Sequence, residues 1–154
     1  MIRTMLHNSK RSDESGKRSK KWLQWIDEEH CIQAAMLADA ADESLVLSRL
    51  MDAEAVDPAV LNRELHHYRG VIDALYGEAK VLDTFGFTKC MLDELKQPMV
   101  WAVSGRMRSF GGGSLDAVVQ RCLSRMRIWQ QKLMPAVIEA EFPAYEIQQV
   151  FALI

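Results

Sequence analysis

The sequence predicts an all-α protein: a single compact bundle of five to seven helices, preceded by a disordered basic N-terminal arm. Hydrophobic residues make up 49% of the chain and are rich in Ala, Leu and Met, which favour helices over strands. Apolar residues recur at helical spacing in several segments, whereas no alternating strand pattern exceeds four residues. The 154 residues therefore divide into a flexible arm, 1–20, and one helical domain, 21–154.

The arm is predicted from residues 8–21, which hold no large apolar side chain to compensate for the entropy lost on ordering. A helix is expected from near Lys20 to Ala41. Two polar residues, Glu29 and Gln33, fall within its apolar arc and need partners if that face is covered. The arc itself is formed by Trp22, Trp25, Ile26, Met36, Leu37 and Ala40.

A short helix over residues 44–52 and a longer one after it are predicted next. Asp57 is a suitable N-cap for the longer helix, and Pro58 fits its first position. One apolar stripe runs along this helix and consists of Leu61, Leu65, Tyr68, Ile72, Leu75 and Ala79.

Two short helices, over 88–96 and 98–107, are predicted before the glycine run Gly111–Gly113. Ser114 is a good N-cap for the long helix that follows. A last helix is expected from Pro143. The long helix places on one face Leu115, Val118, Val119, Cys122, Met126, Trp129 and Leu133.

Charge is segregated along the chain, from a basic start (1–26, +5) through an acidic middle (27–78, −9) to a mildly basic end (79–154, +2). Such segregation indicates macromolecular partners more than catalysis. Three widely spaced cysteines in apolar surroundings are typical of a reducing compartment, and no secretory signal or membrane span is evident. A cytoplasmic protein is the expectation.

Residues 44–69, SLVLSRLMDAEAVDPAVLNRELHHYR, resemble the helix-turn-helix of DNA-binding regulators, although Ala55 stands where glycine is common and the surrounding acidic middle, 27–78, carries a net charge of −9. The resemblance implies a recognition helix in the major groove. An ordinary pair of core helices is the alternative. The nucleic-acid contacts would then come from the arm, the second helix and the basic stripe of the long helix: Lys17, Arg18, Lys20, Lys21, Asn62, Arg63, His66, Arg69, Arg121 and Arg125.

No motif predicts catalysis, a cofactor or a metal site. The glycine run lacks the lysine of a P-loop, so a hinge is the simpler interpretation and an anion site the alternative. Asp27 with His30, and Glu64 with His67, resemble the spacing of ferritin-like metal ligands, but further inward carboxylates are not apparent. We therefore expect a non-enzymatic protein without cofactors.

The predicted function is binding or regulation through protein–protein interaction. We expect the protein to form a homo-oligomer, most simply a homodimer, and to be of bacterial or phage origin. No small-molecule substrate is evident. An acidic face is the other surface expected to bind a partner, and it would be formed by Asp39, Asp42, Glu43, Asp52 and Glu54. The alternative is a transcriptional regulator that uses residues 44–69 and the arm. Large apolar groups expected to form the partner surface are Met36, Trp101, Trp129, Met134 and Phe151.

Overall fold

Helices account for nearly all of the regular structure in the computed structural model, which describes residues 9–53, 57–84, 86–96 and 114–141. These ranges contain no strand, and none of their helices has the length and apolarity to cross a bilayer. The all-α class is confirmed. The helices are α1 (Glu14–Trp25), α2 (Glu28–Glu43), α3 (Leu45–Met51), α4 (Pro58–Ile72), α5 (Phe87–Leu95), α6 (Leu115–Ile128) and α7 (Met134–Glu141).

Two of the predicted N-caps are observed. The Asp57 carboxylate accepts a hydrogen bond from the backbone N–H of Ala59, and Pro58 occupies the first position of α4. The Ser114 hydroxyl accepts from the backbone N–H of Ala117 at the start of α6. The predicted helix over 98–107, the glycine run Gly111–Gly113 and the helix from Pro143 lie outside the described residues.

The start of the first helix and its continuity both differ from the prediction. The Asp13 carboxylate accepts from the backbone N–H of Gly16, so α1 begins at Glu14 and includes residues that were assigned to the arm. Ile26 and Asp27 then adopt extended backbone conformations. Asp27 caps α2 by accepting from the backbone N–H of His30, so the single helix predicted to Ala41 is two helices.

The core lies where α2 packs against α5 on one side and α6 on the other, with the end of α4 beneath them. Tyr76 is fully buried, and its hydroxyl donates a 2.5 Å hydrogen bond to the backbone carbonyl of Met36. Burial raises the pKa of this phenol, which therefore stays protonated and keeps donating. This hydrogen bond links the turn that follows α4 to the middle of α2.

Within the described ranges, two π turns interrupt or extend the longer helices. One, Asp73–Gly77, extends α4, and Arg127 donates to the backbone carbonyls of Tyr76 and Gly77 at its end. The other, Trp129–Leu133, joins α6 to α7. Pro135 has no N–H and would clash with a carbonyl four residues earlier in a regular helix, and the π turn before it relieves that clash. The added residue turns Leu133 outward, whereas a regular helix would place it on the core face.

Candidate protein-interaction groove

An open apolar groove of about 680 Å³ runs between α1, α2 and α5. We call it the α1/α2/α5 groove. Its floor is made of small side chains, Ala34, Ala35 and Ala38 of α2, and its edges carry aromatic rings. The described residues that line it are Trp22, Trp25, Ile26, His30, Cys31, Ala34, Ala35, Ala38, Phe87, Cys90, Met91 and Glu94. Its volume and apolar lining are typical of binding sites.

The α1 edge of the groove carries two tryptophans. Trp22 and Trp25 are 51% and 57% exposed, and their rings meet edge to face with centroids 5.4 Å apart. Trp25 also lies against the His30 ring, at a centroid distance of 3.8 Å. Because the Asp27 carboxylate contacts Nδ1 of His30 at 2.6 Å, the cap that begins α2 also fixes the ring on which Trp25 rests.

The α5 edge is fixed by a cap that comes from a distant part of the chain. Gly86 precedes α5 and has no side chain to cap it. Asp39 of α2 does so instead, its carboxylate accepting from the backbone N–H groups of Phe87 (2.7 Å) and Thr88 (2.9 Å). Phe87 is thereby held at the groove edge with 54% of its surface exposed.

The opposite face of α2 packs against α6. Glu29 accepts hydrogen bonds from Arg121 at 2.8 Å and forms an ion pair with Arg125 at 2.6 Å. These contacts lower the pKa of Glu29, chiefly through the hydrogen bond from Arg121. Gln33 donates to the sulfur of Met126. The partners expected for the two polar residues of the α2 arc are therefore found on α6, and this face is not open to a ligand.

The two ends of the groove carry opposite charges. Lys21 borders Trp22 and Trp25 at the α1 edge, and Lys17 and Lys20 precede it on α1; all three lysines are exposed and form no ion pair with any described residue. Asp42 and Glu43 lie beyond Phe87 at the other end of α2, exposed and likewise without an ion-pair partner in the described part of the chain. The groove thus runs from a basic end, Lys17–Lys21, to an acidic end, Asp42–Glu43.

Two of the three free thiols face this groove. Cys90 on α5 is exposed, whereas Cys31 on α2 is half-buried and its pKa is raised by burial and by the charge of Asp27. Cys122 lies in the core, where burial raises the pKa of its thiol to about 11. Cys90 is therefore a natural attachment point for probes of the groove.

The structure places the residues predicted to bind a partner mostly in the core. Met36 and Met134 are buried among apolar side chains, and Trp129 is half-buried with its ring edge to face against Tyr76. They are packing residues in this fold, because the helix faces that carry them pack together. Trp101 and Phe151 lie outside the described residues, as does Glu54 of the predicted acidic face.

The structure does not leave all of the residues predicted to contact nucleic acid exposed and unpaired. Asn62 is buried and so faces away from any DNA, while Arg63, exposed, pairs with the neighbouring Glu64. Arg121 and Arg125 are engaged by Glu29 on another element. Of the others, His66 on α4 and the basic group of α1 (Lys17, Arg18, Lys20 and Lys21) are exposed, and Arg69 is half-buried.

The Asp27 and His30 pair, which resembles half of a metal site, is a capping contact at the start of α2. The described ranges hold no group of three or more His, Cys, Asp or Glu side chains arranged to bind a metal ion. Comparisons with protein-family models, with curated proteins and with solved structures find no match to this chain.

Proposed function

We propose that this protein is a non-enzymatic binding or regulatory protein and that the α1/α2/α5 groove is its protein-interaction surface. The observation that carries the proposal is the groove itself, whose alanine floor and exposed aromatic edges present a continuous apolar surface to solvent. Exposed apolar patches of this kind usually mark interfaces.

The shape of the groove favours a helical segment as ligand. Small residues at successive turns of α2 allow a partner helix to approach its backbone closely, while the tryptophans and Phe87 supply large contacts on either side. Trp is enriched among residues that dominate binding energy. An amphipathic helix that inserts large apolar side chains over Ala34 and Ala38 meets these requirements.

The three free thiols fit action in a reducing compartment, and we propose the cytoplasm. DNA binding through residues 44–69 is the weaker alternative, because Asn62 is buried and the arginines of α6 already have carboxylate partners. The exposed lysines of α1 are the part of that prediction that retains support. A gel shift at low salt that responds to Arg63→Ala would favour it over the groove.

The experiment that tests the proposal is photo-cross-linking from the groove in cells or extract. A photoreactive group is attached to Cys90, and cross-linked peptides are identified by mass spectrometry. The matched control is the Cys90→Ser, Ser124→Cys variant, which carries the same group at an exposed position of α6.

The proposal predicts a protein adduct that forms from Cys90, is absent from the α6 control and is lost in the Ala38→Glu variant. Ala117→Glu, a change at an exposed position of α6, should leave the adduct unaffected. Equal adducts from both attachment sites, or an adduct that survives Ala38→Glu, would show that the groove is not the interaction surface.

A further inference from the structure

We infer that the occupant of the groove is a second copy of this chain, packed about a two-fold axis with the two α2 helices antiparallel. The inference rests on the proposed function and specifies its partner. It follows from two features of one face: the groove lies beside the exposed rings that would fill it, and its two ends carry opposite charges.

The first feature is that the groove and the exposed aromatic rings that could fill a second groove lie on the same face of the protein. A two-fold interface requires this, because each copy must present both the receiving and the inserted surface. The alanine floor is the receiving surface. Trp22, Trp25 and Phe87, each more than half exposed at the edges, are the inserted groups.

The second feature is the distribution of charge. The basic end lies beside Trp25 and His30 near the start of α2, whereas Asp42 lies 12 residues after His30, which is about 18 Å along the helix and exceeds the Debye length of about 8–10 Å. The two ends therefore do not compensate each other within one chain. Rotation about a two-fold axis across the groove places the basic end of each copy against the acidic end of the other.

The same charges decide the orientation of the two copies. A parallel arrangement would bring Lys21 against Lys21 and Asp42 against Asp42, which is repulsive at both ends. The antiparallel arrangement forms opposite-charge contacts twice and also opposes the dipoles of the two α2 helices. The two-fold antiparallel pair is thus favoured by both shape and charge.

The test is sedimentation velocity of the full chain over a wide range of protein concentration, at low and at high salt. The wild type should associate to a dimer, more weakly at high salt. Lys21→Glu or Asp42→Lys should each raise the dissociation constant about ten-fold at low salt, since every reversal acts at two symmetric contacts. The double variant, Lys21→Glu with Asp42→Lys, should restore the constant to within about three-fold of the wild type.

Two further variants keep the test decisive. Lys132→Glu reverses an exposed charge away from the groove and should leave the dimer unchanged. Ala38→Glu should abolish the dimer, and circular dichroism confirms whether it remains helical. If it unfolds, the exposed charge reversals still decide the question, because they alter no core residue.

Several outcomes overturn the inference. A dimer that is insensitive to both charge reversals uses another face. A monomer at every concentration, combined with a Cys90 adduct to a different protein, refutes the second copy while leaving the proposed function in place. A monomer without any Cys90 adduct refutes both.

Discussion

The cap that Asp39 provides to α5 gives the most quantitative prediction. The Asp39 carboxylate accepts hydrogen bonds of 2.7 and 2.9 Å from the backbone N–H groups of Phe87 and Thr88, which lie 48 and 49 residues later in the sequence. Asp39→Ala removes this acceptor. Loss of an N-cap costs about 1 kcal/mol, and a charged acceptor with two bonds at a half-buried site costs more. We expect the free energy of unfolding to fall by about 2 kcal/mol.

Gly86 makes this prediction specific to the cap. A Cβ added at Gly86 would lie 2.6 Å from Oδ1 of Asp39, so Gly86→Ala displaces the carboxylate. We expect Gly86→Ala to cost about 1–2 kcal/mol in the wild type but under about 0.5 kcal/mol in the Asp39→Ala background, where nothing remains to clash. The two effects should therefore be strongly non-additive.

The measurement is urea unfolding followed by circular dichroism, with the four chains of the double-mutant cycle compared at a protein concentration low enough to exclude self-association. Glu139→Ala, at an exposed site on α7, is the control and should change stability by less than about 0.5 kcal/mol. If Gly86→Ala costs the same with and without Asp39, the proposed cap does not hold α5, and the position of Phe87 at the groove edge loses its explanation.

Three further predictions concern the core and the α2–α6 contact. The contacts with Arg121 and Arg125 lower the pKa of Glu29 in the folded protein below its ordinary 4.5. They therefore stabilise the fold by about 1 kcal/mol above pH 4.5, and this stabilisation is lost as the pH falls through the folded pKa. The Glu29→Gln variant should accordingly show a smaller fall in urea midpoint below pH 4.5 than the wild type. Tyr76→Phe removes the hydrogen bond to the Met36 carbonyl and should lower the free energy of unfolding by about 1 kcal/mol with little change in m-value. In timed alkylation, Cys90 should react readily while Cys122 stays protected until the protein unfolds; similar rates for the two thiols would contradict the core placement of Cys122.

Local signals in the sequence predicted much of the fold. Asp57 with Pro58, and Ser114, were predicted as helix starts because N-caps act within three residues of their own position. The same rule applies at Asp13 and Asp27, but the polar stretch before Trp22 was interpreted as disordered and the apolar arc after it as continuous. Both starts could have been found from the aspartates, because Glu14 follows Asp13, and Glu28 and Glu29 follow Asp27, and acidic residues suit a first helical turn.

Features that depend on distant contacts were not predictable in this way. The Asp39 cap joins positions 48 residues apart, and no local pattern around Gly86 announces it. The π turn before Pro135 rotates the helix by an extra residue, which is why Leu133 faces solvent and not the core. A prediction from periodicity assumes a regular helix, so it does not detect the one-residue shift in facing that a π turn introduces.

The candidate site shows the same division. The sequence indicated large apolar groups and segregated charge as signs of an interaction surface, yet the large groups that it singled out on α2 and α7, Met36 and Met134, are buried. Amphipathic patterns identify which side chains share a face, but not which faces pack together. Trp22 and Trp25 were placed on the apolar arc of a single helix, and the break at Asp27 instead leaves them on a separate helix at the edge of an open groove.

The rate of Cys90 alkylation at increasing protein concentration shows whether a second copy covers the α1/α2/α5 groove, because this exposed thiol lines it. If a second copy covers the groove, the rate should fall about ten-fold or more as the dimer forms, while a cysteine introduced at Ser124 in the Cys90→Ser chain reacts at a constant rate. If the Cys90 rate does not change at concentrations where sedimentation shows a dimer, the groove stays open in that dimer and a second copy does not bind there.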